Sequence, residues 1–173
     1  MKKFLMTLTV ALMAISANAQ VYVGGGFGIA STSVDGADDV TTFKFVPEVG
    51  YSFNDEWAAG VAFGWEGASK GMKTVSVNPY VRWTFLKAGI VSAFVDGSFE
   101  YDHVYGGGND ADGIALGLKP GVAVNLNQHL SFVTHIGFLG WEHAKDNNTD
   151  VKGDTWGLDV DGRNVIFGLY YSF

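Results

Sequence analysis

The amino-acid sequence predicts an all-β chain, an eight-stranded antiparallel up-and-down transmembrane β-barrel. Three observations carry that expectation. Apolar residues alternate with small or polar ones at a period of two over successive segments, the pattern of strands whose two faces meet different surroundings. Beyond the first 19 residues no apolar run is long enough for a spanning helix, although the chain holds 24 Gly, 13 Phe, 7 Tyr and 5 Trp. The apolar face, finally, carries too many large side chains to fit inside so small a barrel.

The N-terminus reads as a processing segment. Lys2 and Lys3 make a basic start, Phe4 to Ile15 is mostly apolar, and Ala17-Asn18-Ala19 is a small-x-small cleavage site before Gln20. Even extended to Ala17 the apolar run covers 14 residues, short of the roughly 20 that a spanning helix needs. Residues 1–19 are expected to be a cleaved secretory signal peptide and residues 20–173 the barrel.

Without residues 1–19, nine basic residues face 18 acidic ones, a net charge of −9. That balance argues against nucleic acid, which needs a basic face. The chain has no cysteine, so disulfides, thiolate catalysis and Cys-ligated metals are all excluded.

Strand one runs from Gln20 to about Ala30, and an acidic loop with Asp35, Asp38 and Asp39 follows. Strand two, Thr41 to Phe53, alternates Phe43, Phe45, Pro47, Val49, Tyr51 and Phe53 with Lys44, Val46, Glu48, Gly50 and Ser52. Asn54-Asp55-Glu56 is a tight connection into strand three, whose Trp57, Val61, Phe63 and Trp65 share a face. Strand four sets Val75, Val77, Pro79, Val81, Trp83 and Phe85 against Ser76, Asn78, Tyr80 and Arg82. Strand five sets Val91, Val95, Phe99 and Tyr101 against Phe94, Asp96, Ser98 and Glu100, and a long flexible loop is expected around Gly106–Asp110.

Strand six alternates Ile114, Leu116, Leu118, Pro120, Val122 and Val124 with Ala115, Gly117, Lys119, Gly121 and Ala123. Asn127-Gln128-His129 turns into strand seven, Leu130 to about Glu142, with Phe132, Thr134, Ile136 and Phe138 on one face. A long acidic loop through Asp146, Asp150 and Asp154 leads to the closing strand, Asn164 to Phe173. Pro47, Pro79 and Pro120 each lie six residues before a strand end (Phe53, Phe85, Leu126), so they are expected to mark bulges or missing ladder bonds at one depth.

Alternation alone does not say which face is outside; volume does. An eight-stranded barrel encloses just enough room for its own side chains. The Phe and Trp set therefore faces lipid, Phe138 included. The Gly, Ala and Ser face, with Lys44, Glu48, Arg82, Asp96, Glu100 and Lys119, lines the lumen. Aromatic residues gather near the tight turns (Tyr51, Phe53, Trp57, Trp83, Phe85, Tyr171, Phe173) and again towards the other end (Trp65, Phe99, Tyr101). Two girdles around an aliphatic band match a lipid-facing surface.

On these features the chain resembles the outer-membrane β-barrel domain family, the small eight-stranded OmpA/OmpX-like barrels of Gram-negative bacteria. The likeness spans the whole mature chain. It implies an outer-membrane location and contact with outer-membrane lipid and lipopolysaccharide. It also implies that the closing strand, with Tyr171 and terminal Phe173, is read by the outer-membrane assembly machinery. It implies little about activity, because one fold hosts many roles.

The lumen charges are read as a salt-bridged plug in a poorly solvated core, with a gate or narrow pore as the functional rival. Barrel enzymes are a further class to compare. The lipid A deacylases use a His-x-Ser pair with a Glu, and this chain has His129-Leu130-Ser131 and Glu142. A tight turn and the far end of one strand are roughly 35 Å apart, too far for general-base work. His103 and His143, which a palmitoyl-transfer site would use, have acids nearby but no clear nucleophile. His135 reads as a packed or hydrogen-bonded lumen histidine. Gly108–Gly113 is weakly similar to a calcium loop but has Gly108 at the first ligand position.

The expected function is a non-enzymatic outer-membrane barrel with an envelope role and acidic surface loops, needing no cofactor. A small-solute or ion pore, an adhesin or receptor acting through its loops, and a soluble lipocalin-like binder are the alternatives.

Overall fold

The computed structural model describes residues 21–32, 40–69, 71–159 and 166–173. The expected signal peptide, the loop with Asp35, Asp38 and Asp39, and Asn164–Val165 of the expected closing strand lie outside the described residues. Ten strands are present among the described residues. β1 is Val21–Thr32, β2 Val40–Ser52, β3 Trp57–Ala68, β4 Lys73–Ala88 and β5 Val91–Gly106. β6 is Asn109–Asn125, β7 Leu130–His135, β8 Phe138–Asp146, β9 Lys152–Asp159 and β10 Ile166–Ser172.

β7 and β8 are the two halves of one barrel strand, as are β9 and β10, so the barrel is a closed eight-stranded antiparallel one. Sequential ladders run from β1 to β7. β7 then pairs with β10 and β10 with β1, the latter with Tyr22 opposite Ser172 and Gly26 opposite Gly168. Closure through β10 removes the edges that an open sheet would leave unpaired at that level, whereas β9 pairs with β8 alone among the described residues.

Three connections at one end are tight. In two of them an Asn side chain closes the turn: Asn54 Oδ1 accepts from the Glu56 and Trp57 N–H groups, and Asn127 Oδ1 from those of His129 and Leu130. This is the backbone-mimicking bond that favours Asn in turns.

The opposite end departs from the sequence expectation. No long flexible loop lies between β5 and β6. The ladder continues to Gly106 opposite Asn109, leaving only Gly107-Gly108 as the turn. Both have positive φ (61° and 85°), the conformation that a type I′ hairpin requires at both central positions. The acidic stretch after β8 is likewise a hairpin, pairing Lys145 with Lys152 and placing Asp154 in strand opposite His143. His103 and Tyr105 keep the period of two beyond Tyr101 of the girdle, and their strands stay paired out to Gly106 and Asn109.

Each proline sits beside a gap in a ladder. Pro47 interrupts the β2–β3 pairing between Phe45 and Glu48, and Pro79 the β4–β5 pairing between Val77 and Tyr80. Pro120 lies where β6 changes partner from β7 to β8. A residue without an N–H fits where no ladder bond is made.

The apolar face is outside, as volume requires. Phe27 is 82% exposed, and Phe45, Phe63, Val81, Phe167 and Leu169 are exposed too. Trp57 stacks on Trp83 and Tyr171 meets Phe173 edge-on in the lower girdle. Phe138 is a correction. Its ring lies against Gly117 and Gly140 and near the Lys119 ammonium, so it faces the lumen. The cause is the break at Ile136-Gly137, where Gly137 has φ +86°. An irregularity there shifts the parity of the side chains that follow it in the same strand, and Leu139 takes the lipid-facing place instead.

Inside, four large aromatics are seated over glycines directly across the sheet: Tyr22 on Gly50, Tyr80 on Gly60, Tyr170 on Gly24 and Phe94 on Gly121. A Cβ at any of these glycines would come within 2.2–2.5 Å of the ring or hydroxyl atoms. The lumen is thus filled by pairing the largest side chains with none.

Candidate functional site: the lumen charge network

Strand parity sends Glu48 from β2, Arg82 from β4 and Asp96 from β5 into the middle of the barrel. Arg82 and Asp96 are direct cross-strand partners. The guanidinium grips the carboxylate with two bonds, Nε to Oδ1 and Nη2 to Oδ2, each 2.8 Å. Such a fork matches the shape of a carboxylate. Asp96 is 2% exposed and Phe94 1%. Arg82 lies over the Phe94 ring, 4.0 Å from its centroid, a cation–π contact worth about 2 kcal/mol when desolvated.

Glu48 completes the waist. Its Oε1 accepts from the Tyr80 hydroxyl and lies 3.9 Å from Arg82 Nη2, and its Oε2 accepts from Tyr170 at 2.6 Å. Tyr22 and Tyr80 share a 2.6 Å hydroxyl bond. His135 Nε2 lies 2.8 Å from Asp96 Oδ2, so it is a hydrogen-bonded lumen residue.

The other predicted lumen charges form separate groups. Lys119 donates to Glu100 Oε2 at 2.6 Å, and Asn78 Nδ2 to the same oxygen at 2.7 Å. Lys44 lies 3.8 Å from Glu66 towards the outer end, with both side chains partly exposed. Sequence reasoning grouped these six charges as one network; the structure divides them into three clusters and makes Glu66 the partner of Lys44. Sequence reasoning gave no role in the network to Tyr22, Tyr80 and Tyr170, whose signal was a large lumen-parity residue facing a glycine on the next strand. Below the waist a cavity of about 180 Å³ opens among the tight turns, lined by Tyr22, Arg82, Phe94, Tyr170 and the rim residues Asn54–Glu56.

The histidines outside the lumen are dispersed. His129 Nδ1 bonds the Ser172 carbonyl at 2.9 Å and its ring stacks on Tyr171, while Ser131 Oγ donates to Asn125 and Glu142 sits opposite Thr155 far along the sheet. His103 meets Asp112 at 2.9 Å, and His143 meets Asp154 at 2.9 Å. No Ser or Thr hydroxyl bonds to either histidine among the described residues. The calcium-loop likeness at Gly108–Gly113 has Gly108 in the hairpin turn and Asn109–Gly113 on strand β6, where alternate residues point to opposite faces.

Asp112, beyond the girdle, accepts from Asn147 Nδ2 at 2.8 Å and from the Tyr101 hydroxyl at 2.7 Å. These bonds, Asn147 first, then Tyr101 and His103, hold its carboxyl down at about 2 from 3.8. A depressed acid stabilises the fold fully above its unfolded value, and that contribution is lost as pH falls through the folded one. The Asn147 contact is therefore expected to persist through pH 3.8 and to release near pH 2, followed by the Asn147 side-chain amide resonances in micelles. Release centred at the ordinary carboxylate value would contradict it.

A closed barrel with a lipid-facing exterior and a polar, charge-paired interior is a membrane β-barrel protein. The outer membrane protein beta-barrel domain family matches residues 4–173, and the chain belongs to that family. It is an outer-membrane protein of the Gram-negative type. Among solved structures it is similar to Neisserial surface protein A, with 18% identity, TM-score 0.55, and coverage of 88% of this chain and 97% of that one. It is also similar to the outer membrane protein OprG from Pseudomonas aeruginosa, with 15% identity, TM-score 0.53, and coverage of 89% and 96%. No curated protein sequence matches the chain.

Proposed function

We propose that the chain is a structural, non-conducting and non-enzymatic component of the outer membrane, its lumen occluded by the Glu48–Arg82–Asp96 waist. The observation that carries this reading is the bidentate Arg82–Asp96 pair, buried beside Phe94 and next to Glu48, whose carboxylate accepts from Tyr80 and Tyr170. A gate would need these side chains to find other partners, and each is held by two or more contacts. Dispersal of the histidines among separate carbonyl and carboxylate partners supports the absence of catalysis.

In this role the outward face meets lipid and lipopolysaccharide, and the closing strand with Tyr171 and Phe173 meets the assembly machinery. Liposome swelling with small sugars tests the occlusion. Vesicles carrying the refolded barrel should swell no faster than empty ones. Swelling that scales with protein content and falls with solute size would identify a pore.

A further inference from the structure

The outward face of the β8–β9 hairpin is graded from apolar to cationic in register. Leu139 lies opposite Leu158, Trp141 opposite Trp156, His143 opposite Asp154 and Lys145 opposite Lys152. The lower rows are open to the outside, with Trp156 79% and Leu158 65% exposed. The two indoles are 6.2 Å apart. Asp154 is already engaged by His143 and by Trp141 Nε1, so it does not neutralise the row above.

The topmost row is the anomaly. Like charges directly opposite on a sheet are destabilising, yet Lys145 and Lys152 face each other on a chain whose net charge is −7. Lys145 reaches the exposed Asp150 at 3.0 Å, and Lys152 has no ion pair among the described residues. Neighbouring Asp112 is taken by Tyr101, His103 and Asn147. The aromatic and lysine rows are four residues apart, about 13 Å along the strand and about 10 Å in depth at a typical tilt.

We propose that this hairpin face is a binding site for the phosphorylated, acylated saccharide head of an outer-leaflet glycolipid. The acyl chains lie over Leu139 and Leu158, the sugar stacks at Trp141 and Trp156, and a phosphate bridges Lys145 and Lys152. The site is continuous with the lipid-facing wall; Lys152 has no ion pair among the described residues, and a phosphate there would compete with Asp150 for Lys145. It rests on the membrane-embedded exterior of the barrel and is independent of whether the lumen conducts.

Native mass spectrometry of the refolded barrel in detergent, with hexa-acylated diphosphoryl lipid A as the probe, tests the site. The wild type should retain one lipid A. Lys145→Glu/Lys152→Glu should weaken retention on the order of tenfold or more, since each basic residue near an anionic surface contributes appreciably. Lys145→Arg/Lys152→Arg should restore it, and Trp156→Ala should weaken it. Heat-modifiable mobility, which reports barrel closure, should be the same for all variants, so a loss of binding is separable from a loss of fold. Undiminished retention by the charge-reversal variant would overturn the site. So would equal retention of phosphatidylglycerol, which lacks the sugar, or of inorganic phosphate, which would show a bare anion site.

Discussion

Arg82→Ala is expected to destabilise the folded barrel by about 3–5 kcal/mol, the cost of leaving buried carboxylates without their partner. Asp96, 2% exposed, would keep only His135, and Glu48 would keep only its tyrosines. The shift should appear in urea unfolding of vesicle-inserted protein. Replacing the ions together, as Glu48→Gln/Arg82→Met/Asp96→Leu, should cost much less, because the desolvation penalty of the charges disappears with them. An Arg82→Ala loss below about 1 kcal/mol, the size of a surface pair, would mean the waist is wet and the pairing incidental.

Phe173→Asp is expected to reduce the yield of assembled barrel in cells by about tenfold while leaving refolding in detergent nearly intact. Magnitude separates the two effects. Phe173 lies in the girdle, its N–H bonded to the Val21 carbonyl at 3.0 Å and its ring edge-on to Tyr171. A charge near the membrane interface costs only about 0–1 kcal/mol, too little to explain a lost barrel. A large cellular defect with a small defect in detergent would therefore reside in recognition of the closing strand. A normal yield in the outer membrane would refute that role.

Much of this architecture was legible in the sequence, because lipid imposes a strict rule on alternate residues. The rule placed Phe45, Phe63, Trp83 and Leu169 outside, and Glu48, Arg82 and Asp96 inside. Where lipid ends, the rule ends too. The extensions of β5, β6, β8 and β9 alternate polar residues on both faces, and composition does not distinguish them from loops. Phe138 was misplaced because one irregularity at Gly137 reverses parity, and a lone glycine among 24 announces nothing. The site was half visible. Charges on a lumen face are conspicuous, whereas Tyr22, Tyr80 and Tyr170 gain their meaning only from the glycines across the sheet, which depend on register.

Occlusion at the waist is the central claim, and single-channel recording in planar bilayers tests it most directly. The wild-type barrel is predicted to add no steps above leak, whereas Arg82→Ala, which removes the side chain bridging Asp96 and Glu48, is predicted to give resolvable openings. A stable open state of the wild-type barrel, well above leak, would contradict the account.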